Sequence, residues 1–299
     1  MAVLAYYVFH GRALLAAHWE WNWPWLGASA GLALVLFAGR SWKWQNLIRS
    51  LDASITFPQS CWSYLGGMPL GLVTPGRLGE LSRCLFLPQA AVHNLAGAGR
   101  VMMDNWTDFL AVLVWSTLGA YILWGWPGAL AGFSLSLLFN QLGFWLKVLR
   151  RLLALLPSLK GLRARIENEL PSLENLPSRD YATACTAGIL LFGLEWLQLD
   201  FVLRFLGFLP SSFLILGGLM ALATLANSIQ ITVAGVGVRE GLAVLLLAKA
   251  GVDYRVSLVA AFLQFAMNLM IPALIGLAVK PRGNLLGFLP TGAPAPQTP

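Results

Sequence analysis

Charge is scarce in this chain. Asp, Glu, Lys and Arg make up only 11% of its 299 residues, against 58% hydrophobic. That balance excludes an ordinary soluble domain and fits an integral membrane protein. The three cysteines (Cys61, Cys84, Cys185) and three histidines (His10, His18, His93) are few and scattered without ligand or redox spacing. Neither a metal nor a cofactor is therefore expected, and the thiols read as reduced. No Asp-x-Asp, no histidine cluster and no nucleophile with its base is present, so an enzyme is not expected. The N-terminus lacks the charged start, apolar stretch and small-residue cleavage site of a secretory signal. The net charge of +7 sits between apolar runs. It points to cytoplasmic loops and anionic headgroups, with no nucleic-acid partner.

What is present is a series of apolar runs edged by aromatics. The first clear span runs from about Trp25 to Gly39, with Trp19, Trp21 and Trp23 before it and Trp42 and Trp44 after it. The two clusters are roughly 20 residues apart, one crossing at about 1.5 Å per residue. Met1 to Ala17 is apolar but holds His10, Gly11 and Arg12, and fits either a short first span or the remnant of one. Phe109–Trp124 and Ala129–Leu146 flank Gly125-Trp126-Pro127, the pattern of a helical hairpin. Further spans are Ala182–Leu206 and Ser257–Val279. Leu156, Leu159, Leu162, Ile166, Leu170 and Leu173 recur at helical steps between charged residues, an amphipathic interfacial helix within a cytoplasmic connection over 147–180. The first 290 residues read as one transmembrane domain, and residues 291–299 as a disordered tail.

Basic clusters orient the spans. Arg40, Lys43 and Arg49 form one, Lys147 to Arg165 a second, and Lys280 with Arg282 a third; all should be cytoplasmic, in a multi-pass protein of the inner membrane. Counting crossings between them leaves Ile55–Val92 starting and ending inside, and Ser212–Gly251 starting and ending outside. Each breaks at glycines. The expected fold is all-α, a polytopic bundle with two oppositely oriented re-entrant hairpins related as an inverted repeat; the alternative is that each apolar run is a full crossing. In such repeats the broken helices mark the transport site.

The breaks carry charge. They are Pro75-Gly76-Arg77-Leu78-Gly79-Glu80 with Arg83, and Ala234-Gly235-Val236-Gly237-Val238-Arg239-Glu240-Gly241. In this order, with the Arg40…Trp44 end of the first span and Asp104…Asp108, they resemble the transmembrane region of lysylphosphatidylglycerol synthases. That region is the flippase-like domain of multiple peptide resistance factors, here without the aminoacyltransferase domain. The chain departs from the family pattern at Asn105 and around Gln230. The resemblance implies a lipid translocase. Its cargo would be an anionic, aminoacylated or polyprenyl-phosphate-linked lipid. A non-catalytic partner of a lipid or glycan biosynthetic complex is the alternative, ahead of a headgroup transferase; a homodimer is also compatible.

A lipid phosphate leaving water needs its charge met by protein. Arg77, Arg83 and Arg239 can grip phosphate oxygens. Glu80 and Glu240 can orient those arginines, bind a cationic headgroup or carry a proton. Gly76, Gly79, Gly235 and Gly237 let backbone approach closely, and helices starting near Leu78 and Val238 would aim their positive ends at the tips. Asp104 and Asp108 share a helical face and either line that cavity or sit solvated at the interface. Asp200 and Arg204 have the spacing of a structural pair, leaving Glu195 as a candidate proton site. Asn140 and Gln141 read as interhelical hydrogen-bonding residues, and Gly27 to Gly31 as a close-packing stripe.

Overall fold

The computed structural model describes residues 21–88, 95–141, 145, 148, 151, 177–209, 212–227 and 238–281, with backbone alone at 75–77, 95, 226–227 and 238–240. Every element described is helical. Helix α1 (Trp23–Arg49) is followed by α2 (Phe57–Val73), a 3₁₀ segment (Pro75–Phe86), α3 (Leu95–Phe139) and α4 (Ser178–Phe205). Then come α5 (Phe213–Asn227), α6 (Val238–Lys249), α7 (Tyr254–Phe265), a π turn (Ala266–Met270) and α8 (Ile271–Gly276). Helices over 96–139, 178–205 and 254–276 are long and apolar enough to cross a membrane.

Local sequence accounts for the boundaries. Pro24 and Pro58 stand in the first turns of α1 and α2, where a missing N–H costs nothing. The Thr56 amide donates to Gln59 Oε1 at 2.8 Å, and Asp253 Oδ1 accepts from the Arg255 amide at 2.8 Å, satisfying two otherwise orphaned donors. Helix α3 is in truth a hairpin. Gly125 has φ +65°, and beyond it the chain folds back so that Phe139 packs 5.3 Å from Phe109. Gly132 lies so near Thr117 that a Cβ there would stand 2.9 Å from the Thr117 Cα. The turn expected at Gly125-Trp126-Pro127 is the one formed.

The two larger apolar cores among the described residues follow from this order. One gathers Trp196, Leu203, Leu216, Ala243, Leu247 and Ala260 from α4 to α7. The other gathers Trp44, Ile48, Tyr64, Cys84, Val101 and Ala273 around the α2 hairpin. Helices α3 and α5 touch backbone to backbone, a Cβ on Gly218 falling 2.7 Å from the Gly119 amide. Large side chains such as Leu34, Trp126, Leu190 and Leu274 point outward, as a lipid-facing surface requires. The three cysteines are free thiols, as read.

Two expectations change. The first span continues past Gly39 without a break as far as Arg49. Gly27 and Gly31 do not mediate packing, since a Cβ at either meets nothing within 4 Å. Gly31→Ala should therefore raise stability by about 0.5–1 kcal/mol, the helix-propensity difference; a measured loss on thermal unfolding in detergent would refute the open placement. The expected first span over 1–17, the amphipathic helix at 156–173 and the tail at 291–299 lie outside the described residues.

Candidate functional site

The site is built on the α2 hairpin. Helix α2 ends at Thr74, whose hydroxyl accepts from the Gly79 amide at 2.6 Å and donates to the Leu70 carbonyl at 2.7 Å. The return leg is a 3₁₀ helix of 12 residues, far longer than the usual turn of that type. Its partner explains it. Gly66, Gly67 and Gly71 leave a groove on α2 into which Phe86, Arg83 and Glu80 fit; a Cβ on Gly67 would stand 2.3 Å from Arg83 Cγ, and one on Gly71 2.5 Å from Glu80 Cγ. Four α residues, from Gly67 to Gly71, rise about 6 Å, and so do three 3₁₀ residues, from Glu80 to Arg83. An α-helical return leg would rise only about 4.5 Å over the same three residues and miss this register. At three residues per turn Glu80, Arg83 and Phe86 also line one face.

Those side chains enter a buried ion network. Arg83 donates from Nη2 to Glu80 Oε2 at 2.7 Å and from Nη1 to Asp104 Oδ2 at 2.6 Å. Lys43 of α1 reaches Asp108 Oδ1 at 2.5 Å and the Asp104 carbonyl at 3.1 Å, and its ammonium is 3.0 Å from Asp104 Oδ1. Lys43, Glu80, Arg83 and Asp104 are at most 4% exposed, whereas the Asp108 side chain retains 23%. The Arg83 guanidinium lies 4.3 Å from the Tyr64 ring centroid and 5.9 Å from that of Trp44. Trp44 Nε1 donates to Ser63 Oγ at 3.1 Å, and that hydroxyl donates to the Arg83 carbonyl at 2.8 Å. Three elements, α1, the 3₁₀ leg and α3, are thus tied through Asp104.

A second polar layer joins α1 to α4 and α7. Arg40 pairs with Glu195, whose carbonyl accepts from Gln264 Nε2 at 3.0 Å. Farther along α1, Gln198 Nε2 donates to the Ser29 carbonyl at 3.2 Å, and Asn268 Nδ2 donates to Gln198 Oε1 at 2.6 Å. Asn268 belongs to the π turn that interrupts the last span, an irregularity frequent at functional sites.

The structure brings Glu80, Arg83, Asp104 and Asp108 together, with Asp104 buried and Asp108 half-buried, both paired to Lys43. Other expectations are corrected. Glu80, expected with Gly76 at the tip of the hairpin, sits along its shaft beside Gly71, because the turn closes at Thr74; Arg83 follows it beside Gly67. Glu195 is no lone carboxyl, since Arg40 pairs with it. Lys43, assigned to a solvated basic cluster, is buried. Its signal was in the sequence: interior carboxylates require counter-ions, and Arg40 and Lys43 are the bases one turn apart on the adjoining span. Asp200 and Arg204 form the intrahelical pair expected, at 2.6 Å, and line an outer cleft of about 570 Å³ with Trp25, Phe201 and Phe213. Asn140 makes its interhelical bond, accepting from Tyr181 Oη at 3.1 Å. Gly79 packs on the Leu70 backbone. Gly76 and Arg77 lie in the first turn of the 3₁₀ leg, and Arg239 and Glu240 in that of α6, each placed by backbone alone. Gly235 and Gly237 lie outside the described residues.

No curated protein and no solved structure matches this chain. A family described as the lysylphosphatidylglycerol synthase TM region matches residues 1–276 of the 299. The motif-bearing hairpin, the buried charges and the long apolar helices all fall inside that stretch, and the chain belongs to this family of membrane proteins with a lipid-related role.

Proposed function

We propose that the chain is a lipid translocase carrying a phospholipid with an anionic head, an aminoacylated lipid or a polyprenyl-phosphate-linked lipid between leaflets of the cytoplasmic membrane. The observation that supports this reading best is the network Glu80–Arg83–Asp104–Lys43–Asp108 on a broken hairpin. Ion pairs of this kind are costly at membrane depth and are tolerated where a polar path is built. Arg83 and Lys43 compensate carboxylates here, and the same bases can exchange one carboxylate for a lipid phosphate at little net change in charge. Each partner swap would release one element from its neighbour, which suits a site that alternates between faces.

In this reading the α2 hairpin is re-entrant from the cytoplasmic side and the pair α5 and α6 from the other, as an inverted repeat. At 17 residues α2 is about 25 Å long, enough to carry its tip deep into a bilayer. Arg77 and Arg239 open the second legs of the two hairpins and would meet the phosphate from opposite sides. Reconstituted proteoliposomes with labelled lipid phosphates test the proposal. An Arg77→Ala, Arg239→Ala double variant should flip lipid at least about tenfold more slowly, since one charge-assisted bond is worth about 1.5–3 kcal/mol. Wild-type flipping by that variant would refute the paired-tip site, and no flipping by the parent protein would refute the translocase.

A further inference from the structure

Arg100 lies in the second turn of α3, one turn before Asp104. It is 3% exposed, yet its Nε and Nη1 have no hydrogen-bond partner among the described residues. The adjoining network does not satisfy it: Asp104 Oδ2 is taken by Arg83, and Lys43 faces Oδ1. Asp180, in the first turn of α4, is near enough to act on the guanidinium electrostatically but accepts from neither of these two nitrogens. Arginine cannot relieve its burial by losing a proton. A buried cation with unused donors is among the least favourable arrangements a protein retains, and it requires a reason.

Chemistry narrows the reason. Nε and Nη1 belong to different edges of the fork, each shared with Nη2, so both bidentate edges keep an unused donor. That geometry matches tetrahedral oxyanions better than a single neutral acceptor. Helical side chains lean toward their own N-terminus, which carries the guanidinium back over the first turn of α3, the positive end of the helix. We propose that Arg100 binds a phosphate group, belonging either to a lipid headgroup or to a free phosphate. As the loading station for cargo this rests on the translocase reading; phosphate binding itself stands on Arg100 alone.

The test is thermal unfolding of the full-length protein in uncharged detergent and gluconate buffer. The probes are inorganic phosphate, dihexanoyl phosphatidic acid and, as the phosphate-free control, dihexanoylglycerol. A saturating phosphate ligand should raise the Tm by roughly 5 °C or more. Arg100→Gln should abolish the shift, and without phosphate should unfold no earlier than the parent, because a buried cation with unused donors is gone. Arg100→Lys should keep a smaller shift. A response to phosphatidic acid alone assigns the site to a headgroup; a response to inorganic phosphate, alone or as well, assigns it to the phosphate group itself. No shift with either probe, an equal shift with dihexanoylglycerol, an unaltered shift in Arg100→Gln, or a lower Tm of Arg100→Gln without phosphate would each overturn the proposal. Flipping assays on the same samples separate the two readings: Arg100-dependent binding without any flipping leaves the site standing and removes the translocase.

Discussion

An Asp104→Ala protein is expected to lose about 3–5 kcal/mol of stability, the usual penalty for removing one partner from a buried ionic cluster. The side chain is the only carboxylate among the described residues that touches both Lys43 and Arg83. Its loss leaves Lys43 with Asp108 as its one carboxylate among the described residues, beside the residue-104 carbonyl, and Arg83 with Glu80 as its one carboxylate there. Both bases are buried, and Arg83 cannot return to water without leaving the Trp44 and Tyr64 rings. The unfolding midpoint in detergent should fall by roughly 10 °C. Asp108→Ala should cost much less, because that carboxylate is part-exposed and has Lys43 as its single partner among the described residues. Adding Lys43→Met to Asp104→Ala should return part of the loss by removing an orphaned charge. An Asp104→Ala midpoint indistinguishable from that of Asp108→Ala would show that Asp104 is not the junction.

Gly79→Ala should be comparably damaging for a different reason. The added Cβ would fall 2.1 Å from the Leu70 carbonyl carbon and oxygen and 2.7 Å from the Gly71 amide. All three contacts are backbone, so no rotamer change relieves them and the two legs must part. Overpacking in a core typically costs about 1–3 kcal/mol, and the upper end is expected here because parting the legs also unseats Glu80 and Arg83. The measurement is paired: unfolding temperature and flipping rate for Gly79→Ala beside Gly31→Ala. A Gly79→Ala protein as stable as Gly31→Ala would overturn the close approach of the legs.

The hairpins were legible because their signals are local. Gly125 beside Pro127 between apolar runs, and Pro75-Gly76 after another, break helices through backbone chemistry that acts within a few residues. The Asp200–Arg204 pair was legible for the same reason, its partners being one turn apart. The pairing of Lys43 and Arg40 was missed because loop-charge bias orients spans and does not say which bases at their ends are buried. Their partners, Asp104, Asp108 and Glu195, lie 61 to 155 positions away, and only the packing of α1 on α3 and α4 brings them close. The 3₁₀ character of the return leg has no local cause either. It is imposed by the glycine groove of α2, whose register a 3₁₀ rise matches.

That winding couples two quantities. Rewound as α-helix, the 12 residues from Pro75 to Phe86 would shorten from about 24 Å to about 18 Å, and each three-residue step would swing by about 60°. Any change of that pitch would shift the end of the leg by roughly a helical turn and turn Arg83 off the line of Glu80, so the salt link to Asp104 depends on the winding being kept.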